Sequence, residues 1–209
     1  MAMDRTFSNA PDTEVRPEVR MLYYCLRLDN SGLSLKQVND FLNEGYISVS
    51  IKDIEKLFVY HNAIVNNILN DSGFNICAEL VRSMVLGTRG TMGFPDYVLS
   101  ITDEFTHELN LAIKTGTPLK KAASIYNIIT KYEAVKEHSK AFGYLMMVYS
   151  LQRDGFGLFV PDDDFISELL ENNSMCTDDI TRQLKMYLTV DITDEFVEKA
   201  MDIARTPVK

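Results

Sequence analysis

The sequence predicts an all-α fold, organised as helical hairpins stacked into a short right-handed α-solenoid. Three observations lead there. Apolar residues recur at helical spacing from residue 15 onward. No stretch alternates convincingly as a strand does; Tyr46-Ile47-Ser48-Val49 is the one extended piece, and it is short. Two blocks, around residues 60 and 126, echo one another, and internal similarity of this kind marks a repeat architecture. The 209 residues are 46% hydrophobic and 24% charged, enough for one helical domain over 15–209. Residues 1–14 are polar, proline-punctuated and without period, and are expected to form a flexible tail.

Each element follows from its stripe and its punctuation. Val19, Leu22, Tyr23 and Leu26 share a face, and Asp29-Asn30-Ser31-Gly32 stops that helix. Ser34 is placed to cap a helix carrying Val38, Phe41 and Leu42, with Gly45 as its stop. Ser50 opens the next stripe, from Ile51, Ile54, Leu57 and Phe58 through Ile64, Val65, Ile68 and Leu69, ended by Asp71-Ser72-Gly73. Ile76, Leu80, Val81, Met84 and Val85 make another, broken at Gly87, and 87–95 is the longest expected loop. Thr102 caps a helix with Asp103 and Glu104 at its positive end and Phe105, Leu109, Ala112 and Ile113 on its buried side. Gly116-Thr117-Pro118 is a glycine stop, a threonine cap and a proline at the first helical position. The helix it starts carries Ala122, Ile125, Tyr126, Ile129 and Tyr132. Phe142, Leu145, Met146 and Tyr149 follow, ended by Asp154-Gly155 and Gly157. Pro161 and the aspartates open a helix with Phe165, Ile166, Leu169 and Leu170. Thr177 caps one with Ile180, Leu184, Tyr187 and Leu188, and Thr193 caps the last, with Phe196, Val197, Ala200, Met201 and Ile203.

The echo is specific in its residues. Tyr60-His61-Asn62-Ala63-Ile64-Val65 leads to Cys77-Ala78-Glu79-Leu80, Met84 and Gly93-Phe94-Pro95-Asp96. Tyr126-Asn127-Ile128-Ile129 leads to Ala141-Phe142, Met147, Gly155 and Val160-Pro161-Asp162. Thr102-Asp103-Glu104-Phe105 returns as Thr193-Asp194-Glu195-Phe196. The blocks over about 60–165 resemble the pentatricopeptide repeat, a helical hairpin of the tetratricopeptide type. The resemblance implies stacked hairpins with a concave binding surface, RNA-linked work, and a mitochondrial or plastid setting. In that family a first-helix residue and a repeat-end residue read a base. Asn62 and Asn127 are the nearest matches to the first, Asp96 and Asp162 to the second.

Net charge is −9, concentrated in 141–209, where thirteen acidic residues face six basic ones. An acidic third repels a phosphate backbone unless it faces away. Cys25, Cys77 and Cys176 are odd in number and far apart, so they predict small core residues in a reducing intracellular compartment. The greasiest run, Leu145-Met146-Met147-Val148-Tyr149, is too short to span a membrane, so no membrane insertion is expected. Asp4, Asp12 and Glu14 are unlike an organellar transit peptide.

Nothing in the chain assembles a catalytic, metal or cofactor site. His61, His107 and His138 lack zinc spacing and read as surface residues. Asp162-Asp163-Asp164 lacks the glycine and glutamate of a calcium loop and reads as acid at a helix N-terminus, and Asp29-Asn30-Ser31-Gly32 fails the same test. The glycines of 87–93 lack the Gly-Lys ending of a phosphate loop, which leaves Arg89 to grip one phosphate at most. A basic stretch stands out instead: Lys114, Lys120, Lys121, Lys131, Lys136 and Lys140, interleaved with Tyr126, Tyr132 and Tyr144. Lysine with aromatic rings holds single-stranded RNA, although these tyrosines fall on the apolar side of their helices. Residues 31–58 admit a helix-turn-helix over 34–43 and 50–58, with too little positive charge for a recognition helix. The expectation is a non-enzymatic scaffold for a protein partner, placed in a ribonucleoprotein or RNA-metabolism assembly. Direct RNA binding comes second and DNA binding last.

Overall fold

The structure, a computed structural model, describes residues 15–45, 48–70, 73, 75–86, 98–171 and 175–190, without the side chains of Thr189 and Val190. The tail over 1–14, the loop over 87–95 with Arg89, Asp96, Tyr46 and Ile47 of the expected extended piece, and the helix expected after Thr193 lie outside the described residues. The all-α expectation holds: helices α1 (Pro17–Leu28), α2 (Leu35–Glu44), α3 (Ile51–Ala63), α4 (Ala78–Leu86) and α5 (Asp103–Lys114) are followed by α6 (Pro118–Lys131), α7 (Ser139–Arg153), α8 (Asp163–Glu171) and α9 (Thr177–Val190). Among the described residues the only β pairing is one antiparallel bridge, Leu99 with Val135. No described helix is long and apolar enough to cross a membrane.

Local chemistry sets the helix starts. Ser34 accepts from the Gln37 N–H while the Gln37 side chain accepts from the Ser34 N–H, a reciprocal cap for α2, and Gly45 ends that helix at φ 78°. Ser50, Thr102 and Thr117 each accept an N–H three residues on. Asp162 does the same for Phe165, so the acidic run opens α8 as the sequence suggests. After Ala63 the chain widens into a π-helical turn, Ile64–Leu69. Asn67 donates to the Ala63 carbonyl at 3.0 Å within it, and Ile64, Asn67 and Ile68 all face inward.

The core is built around α7. Every residue from Ala141 to Leu151 is buried, so this helix is enclosed rather than amphipathic. Helices α1 and α6 and the π-helical turn rest on it. Tyr60 from α3 meets Phe142 at 5.5 Å between ring centroids, and Tyr24 from α1 meets Tyr144 edge-on at 6.4 Å. Gly143 lets α6 come close: a Cβ there would lie 3.1 Å from the Tyr126 ring and 3.3 Å from the Tyr126 carbonyl oxygen.

The order of packing qualifies the stacked-hairpin expectation. Successive helices do rest on one another in α5, α6 and α7, and α1 rests on α2 and α3. A simple stack keeps each hairpin on its sequence neighbours. Here α1 also touches α7 and α8, and α6 touches α9. Arg27 of α1 reaches Asp163 of α8 at 2.6 Å across 136 positions.

Candidate partner-binding cleft

Helices α5 and α6, the turn between α6 and α7, and the segment around the start of α9 enclose a cleft of about 1150 Å³. Pro118 and the Thr117 cap fix the start of α6, and its inward residues Ala122, Ile125, Tyr126 and Ile129 leave Asn127, Ile128 and Lys131 turned to the cleft. Leu111 on α5 is an exposed apolar residue on its wall. The turn after α6 is held by the Leu99–Val135 bridge, with the Lys136 N–H on the Val98 carbonyl and the Ser100 N–H on the Ala134 carbonyl.

Three of the lysines and asparagines singled out by the sequence line this cleft: Asn127, Lys131 and Lys140. None of the three offers a free side chain. With its amide oriented to satisfy its neighbours, Asn127 accepts from the Thr177 N–H at 2.9 Å and donates to the Met175 carbonyl at 3.2 Å, tying α6 to the start of α9. Lys131 donates to Glu108 at 2.8 and 3.0 Å and lies over the Tyr132 ring. Hydrogen bonds from Lys131 and Tyr132 hold the Glu108 carboxyl below its usual range. Lys140 donates to the Leu170 carbonyl at 3.0 Å, and burial lowers its pKa. The remaining lysines divide. Lys121 is paired with Asp154 at 2.6 Å, both half-buried, and Lys120 lies 3.4 Å from Asp178. Lys114 and Lys136 are exposed and make no ion pair among the described residues. Asn62, on α3, does not line the cleft, and Arg89 lies outside the described residues. Asp162 caps α8 and accepts from the Tyr187 hydroxyl at 2.7 Å.

Backbone geometry singles out the same cleft. Among the described residues three non-glycine positions have a left-handed backbone: Asn30 at φ 54°, Glu133 at 45° and Glu137 at 67°. All three line the cleft. Asparagine accepts this conformation readily, whereas for glutamate it costs roughly 1–2 kcal/mol. The two glutamates are exposed and make no ion pair among the described residues.

A charged knot stands behind one wall. Asp29, whose side chain is 3% exposed, caps the C-terminus of α1. Its carboxylate accepts from the Tyr60 hydroxyl at 2.9 Å, lies 3.1 Å from Lys56 Nζ, and lies 2.7 Å from His138 Nδ1. Lys56 also donates to the Asp29 carbonyl at 2.8 Å. A carboxylate at the negative end of a helix needs a cation such as Lys56, and a buried one needs donors as well. Leu28, Asn30, Glu137 and Ser139, the neighbours of Asp29 and His138, line the cleft, so the knot fixes its wall.

The histidine expectation is corrected here. His138 is 19% exposed and committed to Asp29, and His61 is half-buried, which lowers its pKa. Only His107 is exposed. The cysteine expectation is corrected in part: Cys25 is buried and Cys77 half-buried, but Cys176 is exposed and donates to Asp179 at 3.0 Å. Nothing in sequence spacing pairs Asp29 with His138, which stand 109 positions apart. Comparison of the chain with protein-family models, with curated proteins and with solved structures finds no match.

Proposed function

We propose that the protein is a non-enzymatic helical scaffold whose α5–α6 cleft receives a segment of a protein partner, within a ribonucleoprotein or RNA-metabolism assembly. The observation that carries this reading is the collection of left-handed non-glycine residues on one cleft. Backbone strain of about 1–3 kcal/mol per residue persists only where the surroundings impose it, and it gathers where a surface is used. The charge pattern supports a polypeptide over a nucleic acid. Four of the six candidate lysines are held by carboxylates or a carbonyl, while Glu133 and Glu137 stand free of ion pairs among the described residues on the rim. A phosphate backbone needs uncommitted cations, and a partner segment bearing lysine or arginine suits the glutamates.

The repeat reading belongs to the same proposal. Helices α5, α6 and α7, packed in succession, would be the stacked part of a short pentatricopeptide-like solenoid, and α1 would close it against α7. An intracellular, reducing compartment goes with it. Direct binding of single-stranded RNA is the second reading, favoured by exposed Lys114 and Lys136. The helix-turn-helix reading of α2 and α3 loses a cation, because Lys56 is held by Asp29.

The test uses the full chain as bait in native extract, beside a variant carrying Glu133→Lys and Glu137→Lys. A specific protein retained by the parent and lost at least tenfold by the variant supports the reading. Equal retention by both chains overturns it. Saturable binding of single-stranded RNA at low salt, abolished by Lys114→Glu with Lys136→Glu, replaces it with the RNA reading.

A further inference from the structure

A second concavity, of about 1050 Å³, shares no lining residue with the cleft among the described residues. Its wall is the extended stretch between α7 and α8, with Phe156, Leu158, Phe159 and Val160, facing Met186 and Leu188 on α9. Met186 is 66% exposed. The backbone N–H and C=O groups of Leu158, Phe159 and Val160 make no hydrogen bond among the described residues. An apolar groove of this size, walled by uncommitted backbone, calls for a cover.

The chain itself carries a segment suited to the task. Helix α9 runs to Val190, two residues beyond the groove-lining Leu188, and residues 191–209 follow directly. At about 1.5 Å per residue even a helical segment of that length reaches across the concavity. Its sequence places Phe196, Val197, Ala200, Met201 and Ile203 at helical spacing. Thr193-Asp194-Glu195-Phe196 repeats Thr102-Asp103-Glu104-Phe105. In that described copy Thr102 accepts the Phe105 N–H, and Phe105 is fully buried, edge-on to Tyr132. The second copy carries the same cap-and-anchor signal in its sequence, and Leu188 of the groove stands five positions before Thr193.

We propose that residues 193–203 cover the groove of their own chain, with Phe196 as the anchor against Leu158 and Met186.

The experiment measures maleimide labelling of the full chain carrying Leu158→Cys, with the labelled peptide identified by mass spectrometry to separate it from Cys176. Adding Phe196→Asp is expected to speed labelling at position 158 at least tenfold. Met186→Asp, a change at an exposed position, is expected to do the same. Unchanged helical circular dichroism in each variant establishes that the fold is intact. Labelling that neither substitution alters overturns the proposal. So does a labelling rate that falls as protein concentration rises, because the cover is then a second copy.

Discussion

Glu133 and Glu137 hold a backbone conformation that glycine adopts at no steric cost. Replacing either with glycine relieves about 1–2 kcal/mol of strain and forfeits about 0.5–1 kcal/mol of chain entropy. Thermal denaturation of Glu133→Gly and of Glu137→Gly is therefore expected to show each variant more stable than the parent by about 0.5–1 kcal/mol. A loss of stability would show that the carboxylates contribute contacts within the fold. Tyr144 poses a related problem inside the core. Its hydroxyl is buried with no hydrogen-bond partner, and burial pushes its pKa up. An unpaired buried hydroxyl costs about 1–3 kcal/mol. Tyr144→Phe keeps the ring against Tyr24 and removes that cost, so urea unfolding is expected to give a gain of about 1 kcal/mol.

Among the elements, α7 and its neighbour α6 set the tightest tolerance. A side chain at position 143 meets the Tyr126 ring and carbonyl, and the carbonyl belongs to a helix that cannot give way alone. Gly143→Val is expected to cost about 1–3 kcal/mol by overpacking. Calorimetry that finds it neutral would mean the two helices are free to separate. How much of the fold was legible in the sequence follows from the range of the forces involved. Ser34, Ser50, Thr102, Thr117, Pro118 and Gly45 act within one turn of chain, and their roles were readable. The stripes of α2 and α5 were readable because water lies on their other faces. Helix α7 and its stop at Asp154 were readable, but its enclosure was not, because Ala141–Leu151 is buried on all sides by neighbours from α1, α6 and the π-helical turn. The candidate site was legible in composition and not in connection. Lys131, Lys140 and Asn127 were singled out, but their partners Glu108, the Leu170 carbonyl and Thr177 are set by tertiary packing. The widened turn at Ile64–Leu69 turns Asn67 inward and leaves Leu69 of the expected stripe exposed, a shift that the apolar spacing does not announce.

For the whole molecule, acid should be destabilising well before the carboxylates are exhausted. Burial holds the pKa of folded His61 below its ordinary value of 6.5, a shift that Glu18 opposes and Arg16 assists. The unfolded chain then binds more protons than the folded one between the two values, so stability rises with pH through that window. It is complete above about 6.5 and is lost as pH falls toward the folded value. His61→Gln is expected to flatten the denaturation midpoint between pH 7 and 5. The remaining fall at lower pH belongs to carboxylates such as Asp53, whose hydrogen bonds from Ser50 and Ser31 keep it ionised. The central place of α7 also sets a timetable. On the ribosome α1 is followed at once by α2 and α3, yet the rest of its seat, on α7 and α8, is made of residues translated much later, and Asp29 waits 109 positions for His138. At about 5–20 residues per second that interval is roughly 5–20 seconds. Throughout it the side of α1 that packs on α7 has no seat, so the nascent α1–α3 segment is a natural client for holding chaperones until α7 clears the exit tunnel.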